Sequence, residues 1–166
     1  LKENLEALKR AGLDGINISL DTLDYEKYYK ITGTDACGTV LEAVKAAAES
    51  GIRTKVNSVL QDTGDKQEWR PLIRLAEKNP VDVRFIELMP IGCGKKNTGV
   101  SNLELLEDMK KSYPDISKDT RIHGNGPAVY YQIPGFEGSI GFISAMHGKF
   151  CSTCNRIPVS YTHLRA

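Results

Sequence analysis

The chain has 166 residues and a formal charge of +1, from 22 Lys and Arg against 21 Asp and Glu. Hydrophobic residues make up 40% of the sequence, which is enough for a folded core and excludes a disordered chain. The near-neutral charge gives no reason to expect nucleic acid or an anionic membrane surface as a partner. No apolar run approaches the roughly 20 residues that a membrane span needs.

The first residues, LKENLEALKR, include neither a Met at position 1 nor the apolar core of a secretory signal. They are typical of a helix already under way, so we expect the sequence to be a fragment of a cytoplasmic protein. Four cysteines are too few for a disulfide scaffold at this length. Two of them stand alone, Cys37 and Cys93, and two form the pair Cys151 and Cys154.

The predicted elements alternate between helices and strands. In the first part of the chain we expect a short helix that stops at Gly12, a strand over 15–21, a helix over 24–31, a helix over 39–51 and a strand over 53–60. A helix follows, for which Asp65 and Glu68 have capping-box spacing, although Pro71 favours a start closer to itself. The last elements are a strand over 81–89 and a helix that begins at a Ser101–Glu104 capping box. This order is the signature of parallel βα units. About three units are visible, whereas a complete eight-stranded barrel takes roughly 250 residues.

After Tyr113 the pattern changes to short strands over 128–133 and 139–144, separated by Pro134 and Gly135. This spacing predicts a β-hairpin. The predicted fold class is therefore α/β, the later part of an incomplete TIM-type (βα) barrel followed by a small β-rich C-terminal extension.

Polar residues alternate with apolar ones along the predicted strands. If the helices cover the apolar side, the barrel interior is lined by Asn17, Ser19, Asp21, Arg53, Lys55 and Asn57. The third strand adds Arg84 and Glu87, one on each face. Because unpaired buried cations are costly, such an interior should be a cavity that holds water or an anion such as phosphate or carboxylate. An antiparallel sheet with one solvated side would give the same alternation.

The pair in FCSTCNR has the two-residue spacing that lets both thiolates reach one metal ion or cluster. It is only a half-site, because zinc and iron–sulfur centres normally take three or four ligands. A redox dithiol is the alternative. We expect Cys37 and Cys93 to be incidental thiols. His123, His147 and His163 show no metal-ligand spacing, so we expect each to be a surface residue or a satisfied polar group.

The segments GINISLD, TKVNSV, VRFIELMPIG and GFISAMHGKFCSTCNR occur in this order over about residues 1–157. Together they resemble the radical S-adenosylmethionine GTP 3′,8-cyclase family of molybdenum cofactor biosynthesis, the MoaA family. The resemblance implies an incomplete α/β barrel with two [4Fe–4S] clusters. It also implies a 5′-deoxyadenosyl radical that removes hydrogen from C3′ of GTP, after which the ribose radical attacks C8 of guanine. The second cluster leaves one iron open to the base.

The resemblance assigns roles to residues at matching positions. Ser19 and Met89 match S-adenosylmethionine contacts, Met89 through its backbone. Lys55 matches a GTP contact, and Arg84 is a partner for phosphate or carboxylate. Cys151 and Cys154 match the first two ligands of the second [4Fe–4S] cluster, and Arg156 matches the first of two arginines that meet GTP. The resemblance implies that GTP is the substrate and that a reductant of unidentified nature takes part, and it allows a homodimer.

The sequence departs from the family pattern at its end. Pro158 stands where the second arginine belongs, and no third cluster cysteine follows. The tail PVSYTHLRA resembles translated sequencing adapter more than native protein. We therefore expect a partial radical S-adenosylmethionine barrel over 1–113, a molybdenum-cofactor-synthesis extension with the cluster loop over 114–157, and a non-native tail over 158–166.

The fragment lacks the three-cysteine cluster motif with which the family cleaves S-adenosylmethionine. We therefore expect the fragment alone to be inactive. Two alternatives stay open. One is a radical enzyme that modifies peptides with an auxiliary cluster, and the other is a non-catalytic metal or electron-transfer module. The second alternative leaves Ser19 and Lys55 without a role.

Overall fold

The computed structural model describes residues 1–61, 68–89, 99–124 and 126–144. A 3₁₀ turn over Lys2–Asn4 precedes the first α-helix. The helices are α1 (Leu5–Arg10), α2 (Tyr25–Thr32), α3 (Cys37–Glu49), α4 (Trp69–Lys78) and α5 (Asn102–Ser112). The strands are β1 (Gly15–Ser19), β2 (Arg53–Ser58), β3 (Val81–Ile86), β4 (Ser117–Lys118), β5 (Val129–Gln132) and β6 (Ile140–Ile143).

The strands form one mixed sheet in the order β1-β2-β3-β6-β5-β4. The pairs β1–β2, β2–β3 and β3–β6 are parallel, whereas β5 is antiparallel to β6 and to β4. The fold is therefore α/β with parallel βα units, and the antiparallel alternative is wrong for the first three strands. The predicted hairpin of β5 and β6 forms, and its second strand continues the parallel part of the sheet.

One face of the sheet carries the hydrophobic core. Val56, Val83 and Phe85 point from neighbouring strands into this face and are almost fully buried. Helix α4 covers it with an apolar side that includes the buried Trp69 and Leu72. The alternation predicted from the sequence places every second strand residue here, so the residues between them lie on the opposite face.

Helix α2 begins and ends at local sequence signals. The Asp24 carboxylate accepts a hydrogen bond of 2.9 Å from the Lys27 amide and caps α2. The same helix ends at Gly33 in the left-handed conformation, with φ of 73°. Helix α4 begins at Trp69, close to Pro71 as the sequence predicts, while Asp65 of the expected capping box lies outside the described residues.

The capping box predicted for α5 is wrong. Ser101 occupies the N-cap position, but its side chain makes no cap hydrogen bond. The carboxylate of Glu87 instead accepts a 3.1 Å bond from the Asn102 amide. The buried Glu87, which follows β3, thus accepts from one of the free N–H groups at the start of α5 and complements the helix dipole. The two residues are 15 positions apart, so a local sequence motif does not predict this bond.

Candidate functional site

The second face of the sheet is polar, and strand register sets the order of its side chains. In one row Asn17 lies opposite Lys55, which lies opposite Asp82. The row nearer the carboxyl ends of β1, β2 and β3 contains Ser19, Asn57, Arg84, Gly141 and Tyr130. Lys55 on β2 and Arg84 on β3 therefore lie in adjacent rows of the same face.

Arg84 lies in the centre of this polar face and is only 5% exposed. Its Nε donates to Asn57 Oδ1 at 2.7 Å, and its Nη2 donates to Asn17 Oδ1 at 2.8 Å. No carboxylate in the part of the chain that the structure describes forms an ion pair with it. Amide oxygens orient a guanidinium but leave its charge intact, so this buried group is well suited to meet an anion.

Gly141 of β6 makes room for this arrangement. A Cβ atom at this position would lie 2.9 Å from Arg84 Cγ and 2.9 Å from Tyr130 Cε1. Contacts this short do not occur between unstrained carbon atoms. The absence of a side chain on β6 therefore allows the arginine and the tyrosine ring to share the space over the strand.

Lys55 lies beside this group, and its ammonium is held from two sides. Nζ donates to the main-chain carbonyl oxygen of His123 and lies 5.7 Å from the centroid of the Tyr130 ring. Burial lowers the pKa of Lys55, the nearby Arg84 lowers it further, and Asp82 opposes the shift. The two cations repel each other at this short range, and an anion between them would relieve that repulsion.

Residues 119–124, which we term the crossing segment, run over the polar face beside Lys55. His123 Nδ1 lies 2.9 Å from Asp82 Oδ2, and His123 Nε2 lies 3.0 Å from Asp119 Oδ2. Arg121 donates to both oxygens of Asp119, and the Ser139 hydroxyl donates to Asp119 Oδ2 at 2.7 Å. These bonds, led by those from Arg121, hold the pKa of Asp119 far below its usual range.

The structure brings together only part of the predicted site. Lys55 and Arg84 meet on the polar face, and Ser19 ends β1 in the same row as Arg84 with an exposed side chain. Met89 follows β3 and is 41% exposed. Cys151, Cys154 and Arg156 lie outside the described residues, as do Cys93, His147 and His163.

The described residues alone do not supply a metal site. No group of three or more His, Cys, Asp or Glu within them could hold a metal ion. Cys37 is a buried free thiol, as expected, and its Sγ lies 3.8 Å from the Thr22 carbonyl oxygen. The pair Cys151 and Cys154 lies outside the described residues, and cysteine thiolates are the usual ligands of iron–sulfur clusters.

Sequence reasoning placed Asn17 and Asn57 on the polar face but missed their role as partners of Arg84. It also left Asp82 and Tyr130 unassigned. Asp82 carries a usable signal, because it precedes Arg84 by two residues and must share its face in a strand. His123 is a satisfied polar group, one of its two expected states, but its partners come from distant parts of the chain.

Comparison with known families agrees with this architecture. Residues 1–76 match the family model described as Radical SAM superfamily, and residues 81–163 match the one described as Molybdenum Cofactor Synthesis C. Residues 1–76, which include β1 and β2, are thus similar to the radical S-adenosylmethionine superfamily. The chain belongs to the molybdenum cofactor synthesis family, whose model matches half of it and begins at β3.

Individual relatives support the same placement. A GTP 3′,8-cyclase of Clostridium perfringens (strain SM101 / Type A) is 46% identical over 160 residues, covering 96% of this chain and 50% of the relative. A GTP 3′,8-cyclase of Marinobacter nauticus is 38% identical, covering 93% of this chain and 48% of the relative. Molybdenum cofactor biosynthesis protein 1 of Drosophila melanogaster is 39% identical, with coverage of 90% and 27%. The chain spans about half the length of the bacterial relatives.

Proposed function

We propose that this chain forms part of a radical S-adenosylmethionine GTP 3′,8-cyclase, a lyase of molybdenum cofactor biosynthesis. The product would be (8S)-3′,8-cyclo-7,8-dihydroguanosine 5′-triphosphate. The observation that carries the proposal is the buried Arg84, whose partners Asn57 and Asn17 are both neutral. Such a site suits an anion such as a phosphate group, and the names of two relatives point to GTP.

In this proposal the polar face binds the phosphates of GTP. Arg84 presents a guanidinium already oriented by two amides, and Lys55 adds a compact ammonium beside it. Arg156 contributes a third cation from the loop after the cysteine pair. Holding the triphosphate at fixed cations would orient the ribose, which the reaction requires because hydrogen leaves one specific carbon.

The cofactors are assigned by the chemistry of the remaining residues. Bound S-adenosylmethionine and a reduced [4Fe–4S] cluster would supply the 5′-deoxyadenosyl radical that takes hydrogen from GTP. Ser19 and Met89 would contact S-adenosylmethionine at the carboxyl ends of β1 and β3, where ligands of parallel sheets bind. Cys151 and Cys154 would supply two of the three protein ligands of the second cluster.

We further propose that the six-stranded sheet is the later part of an incomplete barrel within a longer protein. Residues 1–113 would form the barrel portion and 114–157 the extension with its cluster half-site. Residues 158–166 would be a non-native tail. The protein would work on GTP in the cytoplasm as a homodimer, with a separate reductant and with no nucleic acid or membrane partner. The piece alone would be inactive.

The test is to isolate the full-length protein that contains this chain under anaerobic conditions. We expect about eight irons per chain, from two [4Fe–4S] clusters, and cyclised product that forms only when GTP and S-adenosylmethionine are both present. About four irons per chain, or turnover that does not require GTP, would contradict the proposal. The second outcome would favour a peptide-modifying radical enzyme if a peptide replaced GTP.

A further inference from the structure

The crossing segment holds Lys55 through its backbone, while its own position depends on the His123 side chain. The Lys55 ammonium donates to the carbonyl oxygen of His123. The imidazole of the same residue is placed between Asp82 of β3 and Asp119 of the crossing segment, at 2.9 and 3.0 Å. One residue therefore links the sheet, the crossing segment and the cation.

The ring of His123 is also fixed in its plane. It stacks on Tyr130 with ring centroids 4.0 Å apart and an angle of 13° between the planes. Tyr130 is the ring over which the Lys55 ammonium lies, so the same aromatic side chain contacts both residues. With two carboxylates at its edge and an aromatic ring on its face, His123 has little freedom to move without displacing its own carbonyl group.

Gly124, the residue after His123, also lies close to the Lys55 ammonium. Gly124 has φ of 95°, in the left-handed region, and a Cβ atom there would lie 3.4 Å from Lys55 Nζ. The backbone after His123 therefore passes against the ammonium group. Glycine allows the backbone to pass there without strain, because its φ lies in the left-handed region.

We propose that His123 is a positioning residue, which acts on GTP only through Lys55. Its ring anchors the crossing segment, and its carbonyl oxygen fixes the ammonium at one place on the polar face. A free lysine side chain samples many rotamers, and binding a phosphate must then order it at an entropic cost. Fixing Lys55 beforehand removes part of that cost. This inference rests on the proposed function, in which Lys55 contacts the GTP phosphates.

The test is a double-mutant cycle on the full-length protein, with the dissociation constant for GTP as the readout. We expect Lys55→Ala to weaken GTP binding at least tenfold, because a charge-assisted contact is lost, and His123→Ala to weaken it roughly three- to tenfold. The double variant should bind GTP no more weakly than Lys55→Ala, since His123 then has nothing to position. Iron content should be unchanged in all three.

Two further variants separate positioning from general damage. His123→Gln retains an amide that can donate to a carboxylate, so it should recover part of the lost affinity, and it replaces His123→Ala if that variant does not fold. Lys118→Ala removes an exposed cation next to the crossing segment and should leave GTP affinity unchanged. Additive effects of the Lys55 and His123 changes would overturn the inference, because His123 would then act independently of Lys55.

Amide hydrogen exchange without GTP provides a readout of the contact itself. If Lys55 and the crossing segment hold each other, both Lys55→Ala and His123→Ala should speed exchange over 119–124, and Lys118→Ala should not. Unchanged exchange in Lys55→Ala would contradict the contact. Unchanged GTP affinity in Lys55→Ala would instead contradict the proposed function at this residue, so the two failures are distinguishable.

Discussion

Arg84 draws its orientation from asparagines on two different strands. Asn17 and Asn57 lie on β1 and β2, and each accepts one hydrogen bond from a different nitrogen of the guanidinium. A carboxylate in either position would neutralise the charge, whereas an amide fixes the group without doing so. Asparagine at both positions therefore keeps the guanidinium oriented and charged, as the proposed phosphate site requires.

Asn57→Ala tests this dependence. The substitution removes the acceptor of the Arg84 Nε group, and we expect the free energy of unfolding to fall by about 1–3 kcal/mol because a buried charged donor loses its partner. Urea unfolding of the full-length protein measures the change. Asn4→Ala is the matched control, since Asn4 is exposed and its side chain makes no cap bond; it should change stability by no more than about 0.5 kcal/mol. Equal effects of the two substitutions would contradict the assigned role.

At this scale the sequence predicts which side chains share a face but not which of them touch. Strand alternation correctly places Lys55 with Asn57, and Thr54 with Val56 on the opposite side. The bonds from Arg84 to residues 27 and 67 positions away depend on strand order and register. Neither quantity is encoded in a local pattern, so partners of this kind become visible only in the folded sheet.

The crossing segment is held by charged and hydrogen-bonding groups around Asp119. Asp119 receives hydrogen bonds from Arg121 and Ser139 and also contacts His123, and its own side chain is only 2% exposed. Its pKa is lowered by these partners, of which Arg121 is the strongest. The carboxylate form is thus tied to the folded state, and acid should weaken the attachment of the crossing segment to the sheet.

Asp119→Asn makes this dependence measurable. Because the folded-state pKa lies below the unfolded value of about 3.9, the carboxylate stabilises the fold fully above that pH and less as the pH falls below it. We expect the variant to have a lower thermal midpoint at pH 7, and the gap to wild type should narrow toward pH 3. The metal-free full-length protein is the right sample, so that cluster loss does not set the transition.

Asp115→Asn provides the control for simple removal of a negative charge, because Asp115 is exposed on the loop between α5 and β4. The thermal midpoint of Asp115→Asn should equal that of the wild type from pH 7 to pH 3. A gap for Asp119→Asn that stays constant from pH 7 to pH 3 would show that the carboxylate charge is not what stabilises the crossing segment.

Local signals predict both ends of α2 and the start of α5, but not the hydrogen bond that caps α5. Asp24 and Gly33 delimit α2 as their positions in the sequence indicate. The motif at Ser101 and Glu104 has the spacing of a capping box, yet Glu87 supplies the bond to the α5 N-terminus. The buried Glu87 carboxylate takes the place of the Ser101 hydroxyl and also gains from the positive end of the helix dipole.

In the whole molecule, the order β1-β2-β3-β6-β5-β4 places the hairpin directly against the parallel strands. The sequence predicts the βα units and the hairpin separately, since each has its own periodicity and turn residues. It does not predict that β6 pairs with β3, because the pairing joins strands more than 50 residues apart. That junction is what brings Gly141 and Tyr130 beside Arg84 and completes the polar face.

The central claim is that this polar face binds the triphosphate of GTP, and the most direct measurement compares GTP with guanosine. In the full-length protein, the ratio of the guanosine to the GTP dissociation constant reports the contribution of the phosphates. Arg84→Gln should reduce that ratio at least tenfold, since the lost contact belongs to GTP alone, and Arg10→Gln at an exposed position should leave it unchanged. A ratio that is the same in Arg84→Gln and wild type would contradict the account.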